Sequence, residues 1–340
     1  MAKPRITLKD VAIKVGVHSS TVSRALNPAT KGMVTKKIAN RIISAATDMG
    51  YRPNTFAQSL KTNRSYTIGV LVPDLTNPAF APIINGIENM LETHGYSVMV
   101  ASTYNLAKKQ QSTLNKFRER QVDGLIIATA MRGDKLIKDC ILEGTPFVEA
   151  VRASGNTDVC SVISDEITGG IMVISHLAQL GHKKIAYIAG PQFLSTGFNR
   201  YQGFLQGMKK NGLIVDQNLI ISCSAFSEEE ARNAASKLLT NKRKITAIYV
   251  GNDIMALGVY NELEARAIKC GKDISVVGFD DMPFANKFNP PLTTIHTPMI
   301  NVGTEAARIL LDKINEINIP AQIIKIKPEL VIRSSSGIIK

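Results

Sequence analysis

Apolar residues recur three and four apart near the amino terminus and then gather into unbroken runs, and this change of period divides the chain. Val11, Ala12 and Val15 fall at helical spacing, Gly16 can take a tight turn, and Val22, Ala25 and Leu26 resume the helical period. Thr7-Leu8-Lys9-Asp10 has capping-box spacing for the first helix, and the polar cluster His18-Ser19-Ser20-Thr21 can cap the second. Two short helices joined at a glycine predict a helix-turn-helix. Asn27-Pro28 ends the second helix, because proline disfavours a helical residue before it and removes a donor. A third helix is predicted over 35–49, with Ile38, Ile42, Ala45, Ala46 and Met49 on one stripe and Gly50 as its stop.

Beyond Ser65 the pattern is apolar strand, amphipathic helix, apolar strand. Strands at 68–72, 97–101, 124–128 and 147–151 alternate with helices at 78–94, 107–121 and 135–143. A second set places strands at 185–189, 247–250 and 275–279 among helices at 196–211, 228–241 and 252–267. Strands apolar throughout indicate parallel sheets covered on both faces, hence two doubly wound lobes. Ligands of such sheets bind beyond the carboxyl ends of the strands, where this chain has polar loops: Pro73-Asp74-Leu75-Thr76-Asn77-Pro78, Arg152, Gly251-Asn252-Asp253 and Asp280-Asp281.

Charge sharpens this division. The formal net charge is +13, of which residues 1–64 hold +10 and the remaining 276 residues only +3. A small cationic helical module on a nearly neutral body suits release of counterions from a phosphate backbone. Cys140, Cys160, Cys223 and Cys270 lie far apart with no Cys-x-x-Cys pair, and read as reduced core thiols of a cytosolic protein. With no apolar stretch after Met1 or of membrane-spanning length elsewhere, the chain is expected to be cytoplasmic, neither exported nor membrane-bound.

The run TLKDVAIKVGVHSSTVSRALN (7–27) resembles the headpiece signature of the LacI/GalR regulators, and GYRPNTFAQSLKT (50–62) resembles their third-helix end and hinge. The outward face of the second helix already offers Ser19, Ser20, Ser23 and Arg24, groups of the kinds that reach base edges and phosphates. The resemblance implies that Ser19, Ser20 and Arg24 read bases, with Thr7, His18, Thr21, Ser23 and Asn27 completing the DNA-binding set. It also implies a hinge helix at 54–61, whose Leu60 wedges into a minor-groove step while Lys61 adds a basic contact. A solvated helix face, and a Leu60 packed on its own lobe, are the alternatives.

The likeness continues through VPDLTNPAF (72–80), HLAQLGHKKIAYIAGP (176–191), YVGNDIMALG (249–258) and SVVGFDDMPFANKFNPPLTTI (275–295), covering about 5–335. It implies an all-α helix-turn-helix headpiece with hinge at 5–62, and at 66–335 an α/β periplasmic-binding-protein-like sensor of two doubly wound parallel-sheet lobes. By that likeness Asn77, Phe80, Arg152, Thr196, Arg200, Phe226, Asn252 and Asp280 line an effector cleft suited to a small hydroxylated molecule. Each also has a plain structural use: Asn77 as a helix cap, Asp280 and Asp281 as turn residues, Phe80 and Phe226 as core, Arg200 as a surface helix residue. Ala79 stands where sugar-binding relatives often carry a second aromatic, Val151 where they carry an acid, and Leu194 where purine-responsive relatives carry Arg. These departures point away from a purine and an ordinary neutral pentose. Arg152 and Arg200, with fewer carboxylates, leave room for a sugar acid or sugar phosphate as well as a sugar.

An enzyme is not expected: the chain has no Gly-x-Ser-x-Gly elbow, no phosphate-binding loop signature and no Gly-x-Gly-x-x-Gly fingerprint, and its five histidines show no metal-ligand spacing. No cofactor or metal is implied. A solute-binding protein leaves the cationic headpiece unexplained, and an architectural DNA-binding protein leaves the sensor unexplained. The expectation is therefore a repressor that binds a palindromic operator as a homodimer under effector control. The end 333–340 carries no leucine heptads, so a dimer is expected rather than a tetramer.

Overall fold

A computed structural model describes residues 6–27, 30–52, 64–240, 244–317 and 319–339. The expected hinge helix at 54–61, with Leu60 and Lys61, lies outside the described residues. The chain divides after Ser65 into two compact units, each with its own core.

The first unit contains α1 (Leu8–Val15), α2 (Ser19–Leu26) and α3 (Lys36–Asp48). The Thr7 side chain accepts from Asp10 N and the Asp10 carboxylate accepts from Thr7 N at 2.7 Å, so the capping box is complete. Gly16 follows α1 at φ 72°, a left-handed turn that spares an L side chain its steric cost. His18 caps α2, its Nδ1 accepting from Ser20 N at 3.2 Å, and Asn27 is extended as the following proline demands. Val11, Val15, Val22, Ala25, Ile42 and Ala46 make the core, with Ile38, Ala45 and Met49 packed at its margin.

The second unit has two six-stranded sheets. The first lobe contains β1 (Thr67–Val72), α4 (Phe80–Glu92), β2 (Ser97–Ser102), α5 (Ala107–Glu119), β3 (Gly124–Ile127), α6 (Lys135–Leu142), β4 (Phe147–Ala150) and β5 (Ser161–Ser164). The chain then crosses to the second lobe: α7 (Glu166–Gln179), β6 (Ile185–Ala189), α8 (Ser195–Lys210), β7 (Ile220–Ser222), α9 (Glu228–Thr240), β8 (Ala247–Val250), α10 (Asp253–Ala265), β9 (Ser275–Asp280) and β10 (Thr293–His296). It returns for α11 (Met299–Ile314) and β11 (Ile323–Ile326), and ends in the second sheet with β12 (Glu329–Val331). The orders are β11-β5-β4-β3-β1-β2, all parallel, and β12-β10-β9-β8-β6-β7, parallel except for antiparallel β12 against β10.

Three crossings thus join the lobes, at 164–166, 296–299 and 326–329. The first is tied to both of the others: Ser164 Oγ and Thr297 Oγ1 meet at 3.0 Å, and Asp165 N donates to Ile326 O at 2.9 Å. The sequence pattern does not place β5, α7, β7, β10, α11, β11 or β12. Edge strand β11 shows why: Ile323 and Lys325 are exposed, so no continuous apolar run marks it.

Candidate functional site

In the first unit α2 is two-faced. Val22 and Ala25 are buried, while Ser20, Ser23 and Arg24 are exposed on the opposite side, with Ser19 and Thr21 at the margin. Residues needed by the core cannot face a groove, and those facing outward here are small polar groups and a guanidinium. Ser20 Oγ lies 2.8 Å from His18 Nδ1, which already accepts the Ser20 amide, so the hydroxyl is the donor in that contact. Thr7 Oγ1 donates to Asp10 Oδ2 at 2.7 Å, committing that side chain to the helix start. Asn27 is half-buried at the end of α2.

The second unit encloses a cavity of about 50 Å³ between its lobes, and all eight residues expected at the cleft line it. Asn77 and Phe80 follow β1, Arg152 follows β4, Thr196 and Arg200 begin the helix after β6, Phe226 follows β7, Asn252 follows β8, and Asp280 ends β9. The carboxyl ends of both sheets therefore converge on one space.

Arg200, 4% exposed, is the most connected group. Its Nη1 donates to Gly251 O and its Nη2 to Asp280 Oδ1, each at 2.7 Å, and its guanidinium lies 3.9 Å from the Phe279 ring centroid. Burial alone would lower its pKa, but Asp280 and Glu166 more than reverse that. Burial pushes the Asp280 carboxyl up, opposed by the same guanidinium. Arg152 is 6% exposed and donates from Nη1 to Asn105 Oδ1 at 2.7 Å; burial brings it down to about 10. Asn252 caps α10 by accepting from Met255 N, and Asn77 accepts from Ala79 N, so both asparagines hold backbone while facing the cavity. Thr196 Oγ1 and Arg200 Nε are buried with no hydrogen-bond partner among the described residues.

Backbone strain gathers at this floor. Val151 lies at φ 67°, closed by Arg152 N donating to Ala150 O at 2.7 Å, a three-residue turn that a β-branched residue adopts at a steric cost. The turn is braced by Glu149 Oε2, which accepts from Ser154 N at 3.0 Å and Ser161 Oγ at 2.8 Å, and by Ala153 N donating to Ser195 Oγ at 2.9 Å. Asp280 and Asp281 are also left-handed, at φ 103° and 51°. Such conformations cluster where geometry serves a ligand rather than stability.

The sequence reading missed Glu166. It lines the same cavity, is 2% exposed, and burial pushes its carboxyl up to about 7 against the pull of Arg200. The signal was present, since Asp165-Glu166 follows β5 as the other polar loops follow their strands, but β5 itself had not been placed. With Glu166 the cavity holds two guanidiniums and two carboxylates, and the expected shortage of carboxylates is corrected.

Two family patterns match the chain. "Periplasmic binding proteins and sugar binding domain of LacI family" covers residues 65–333, and "Bacterial regulatory proteins, lacI family" covers 7–54. The chain belongs to the LacI family of bacterial regulatory proteins. It is 34% identical over 331 residues to the HTH-type transcriptional repressor PurR of Photobacterium profundum, covering 97% of this chain and 98% of that one. It is 32% identical over 335 residues to the HTH-type transcriptional repressor CytR of Escherichia coli (strain K12), covering 97% and 96%. Among solved structures it resembles the lac repressor dimer bound to operator and the anti-inducer ONPF, with a TM-score of 0.88, 27% identity, and 98% and 100% of the two chains covered. A complex of the transcriptional regulator CelR with cellobiose gives a TM-score of 0.76 at 28% identity, covering 97% and 100%. Headpiece and sensor are those of this family, and the chain is a transcriptional regulator. No helix among the described residues is long and apolar enough to cross a membrane.

Proposed function

We propose that the chain is a cytoplasmic repressor, without enzymatic activity, that binds a near-palindromic operator as a homodimer. In this reading α2 of each headpiece enters a major groove, with Ser19, Ser20 and Arg24 on base edges and Thr7, His18, Thr21, Ser23 and Asn27 nearer the backbone. The proposed hinge, with Leu60 and Lys61, engages the minor groove between half-sites. Two-fold symmetry of the protein makes the half-sites inverted repeats. Headpiece and hinge are assigned to 5–62 and the sensor to 66–335.

The effector is proposed to sit among Asn77, Phe80, Arg152, Thr196, Arg200, Phe226, Asn252 and Asp280, and to act through the relative placement of the lobes. The observation that carries the reading is the convergence of these eight side chains on one buried space, in a chain that also bears a cationic helix-turn-helix. Paired guanidinium and carboxylate groups suit hydroxyls, and Phe80 and Phe226 supply apolar faces. A ligand moves the equilibrium only by its different affinity for two lobe arrangements, so operator and effector must influence one another reciprocally.

For the second copy we propose the groove of the second lobe where Leu257, Tyr260, Ile268, Phe284 and Phe288 supply the apolar part of a lining that also carries Glu264, Lys269, Lys272 and Lys287, an apolar centre with a charged rim.

Fluorescence-anisotropy selection against genomic DNA fragments at fixed salt, repeated with cellobiose, ribose, sugar acids and sugar phosphates, tests the function. Enrichment of an inverted repeat whose affinity one compound shifts is the expected result. Salt-sensitive binding indifferent to sequence would make the headpiece architectural instead.

A further inference from the structure

Glu166 opens α7 immediately after the chain leaves the first lobe, and it is the cavity's least satisfied charged group. Its Oε1 stands 3.6 Å from Arg200 Nη2, and its Oε2 accepts from Asn199 Nδ2 at 3.5 Å. Both contacts are at or beyond the outer limit of a hydrogen bond, although a buried carboxylate ordinarily gathers several good donors. Arg200 cannot supply them, because its short bonds go to Asp280 and Gly251. The remaining acceptor capacity of Glu166 belongs to the cavity that it lines.

Arg152 is the complementary case. The one hydrogen bond of its side chain among the described residues goes to the neutral Asn105, and no carboxylate there lies within ion-pair distance of the guanidinium. Arg152 and Arg200 against Glu166 and Asp280 give walls with a formal charge of zero. Without Glu166 they would be net positive and suited to an acidic ligand.

We propose that Glu166 sets the charge class of the effector: the cavity takes a neutral, polyhydroxylated molecule that donates a hydrogen bond to this carboxylate, and Glu166 keeps sugar acids and sugar phosphates out. The inference rests on the effector-cavity reading above. A ligand hydroxyl donating to a buried carboxylate makes a charge-assisted bond. An anion in the same place meets walls with no net positive charge to offset its desolvation, and its repulsion from Glu166 in a poorly solvated space is little screened.

The exclusion depends on protonation. Facing Glu166 are Arg200 and Asn199 from α8, Asp280 from the end of β9, and Arg152 from the turn after β4. Burial lifts the Glu166 carboxyl to about 7, so at pH 8 it is ionised and the walls balance, whereas below neutrality it is protonated and they turn positive.

Sulfate tests the proposal because it stays dianionic throughout. The full-length chain, Glu166→Gln, and Glu166→Gln combined with Arg152→Met are titrated with sulfate by calorimetry at pH 8 and matched ionic strength. Anion binding by the basic headpiece is common to all three and subtracts. Glu166→Gln should bind sulfate at least about tenfold more tightly than the native chain, the equivalent of one pKa unit's worth of relieved repulsion, and Arg152→Met should abolish the gain. The native chain, whose folding is not in question, should gain the same binding between pH 8 and pH 6. Equal sulfate affinity in the native chain at both pH values, or no gain in a folded Glu166→Gln, overturns the proposal. Indifference of operator affinity to every sugar would instead sink the effector reading and leave the sulfate result standing.

Discussion

The guanidinium carbon of Arg132 lies 3.7 Å from the centroid of the Phe198 ring, joining the loop after β3 in the first lobe to α8 in the second. Arg132 Nη1 also donates to Gln192 O at 3.0 Å, and its backbone N–H donates to Phe193 O at 3.1 Å. Neither Arg132 nor Phe198 lines the cavity, so this contact holds the lobes together without touching an effector. Arg132→Ala and Phe198→Leu should each speed amide hydrogen exchange in 130–134 and 192–198 by roughly fivefold, the scale of an exposed cation–π contact. Exchange in the buried strands β6 and β8 should not change. A uniform increase across the second lobe would show general destabilisation rather than the loss of a latch.

Glu166 should also mark the pH dependence of stability. Its carboxyl is raised from 4.5 to about 7, so its protonated form favours folding below the unfolded value, and that contribution is lost as pH rises through about 7. Glutamine mimics the protonated form. Glu166→Gln should therefore match the native chain in thermal melts near pH 4, below the unfolded value, and exceed it by pH 8, with a ceiling on the order of 3 kcal/mol. A constant gap across that range would mean the carboxyl does not titrate there.

On the headpiece, base readers and helix caps should separate by phenotype. Arg24→Ala should weaken operator binding by about 10- to 100-fold and relax preference at one base position, leaving the melting temperature unchanged. Thr7→Ala breaks the capping box and should destabilise the headpiece by about 1 kcal/mol, and any loss of binding at this backbone-side residue should fall evenly across base positions. Anisotropy titrations beside thermal melts distinguish the two, and equal loss of stability in both variants would remove Arg24 from the readout.

Gly303 on α11 packs so closely on α4 that an added Cβ would collide with the Ile83 carbonyl. A backbone oxygen held in a helix cannot step aside, so Gly303→Ala should push the two helices apart. The expected loss is about 1–3 kcal/mol in denaturant unfolding, and an unchanged midpoint would show that the helices separate freely.

Leu257 is half-buried in the groove assigned to the second copy. Leu257→Glu would bury a carboxylate among Tyr260, Phe284 and Phe288 in a dimer but leave it solvated in a monomer. Light scattering should then give a monomer mass with the secondary structure retained, whereas an unchanged dimer would place the interface elsewhere.

Periodicity determined much of this protein. The headpiece was legible because each of its helices carries its own start signal and apolar stripe: Thr7 and Asp10, the turn at Gly16, and Ile42 with Ala46 on α3. The alternation of apolar strands with helices gave the two lobes, and the polar residues after them gave Asn77, Arg152, Asn252 and Asp280, whereas Phe80, Thr196, Arg200 and Phe226 came only from the resemblance to the LacI/GalR regulators. Local sequence could do this because caps, turns and strand ends are short-range chemistry. What it could not show is how the chain passes three times between the lobes, which returns α11 to the first lobe and β11 to the first sheet from more than a hundred residues away. Only that long-range pairing sets Ser164 against Thr297. The same pairing makes the β5 end part of the cavity floor and brings Glu166 beside Arg200. The charge of the cavity, and with it the class of effector, was therefore decided by tertiary structure, because a charge balance belongs to groups that meet in space whatever their distance along the chain.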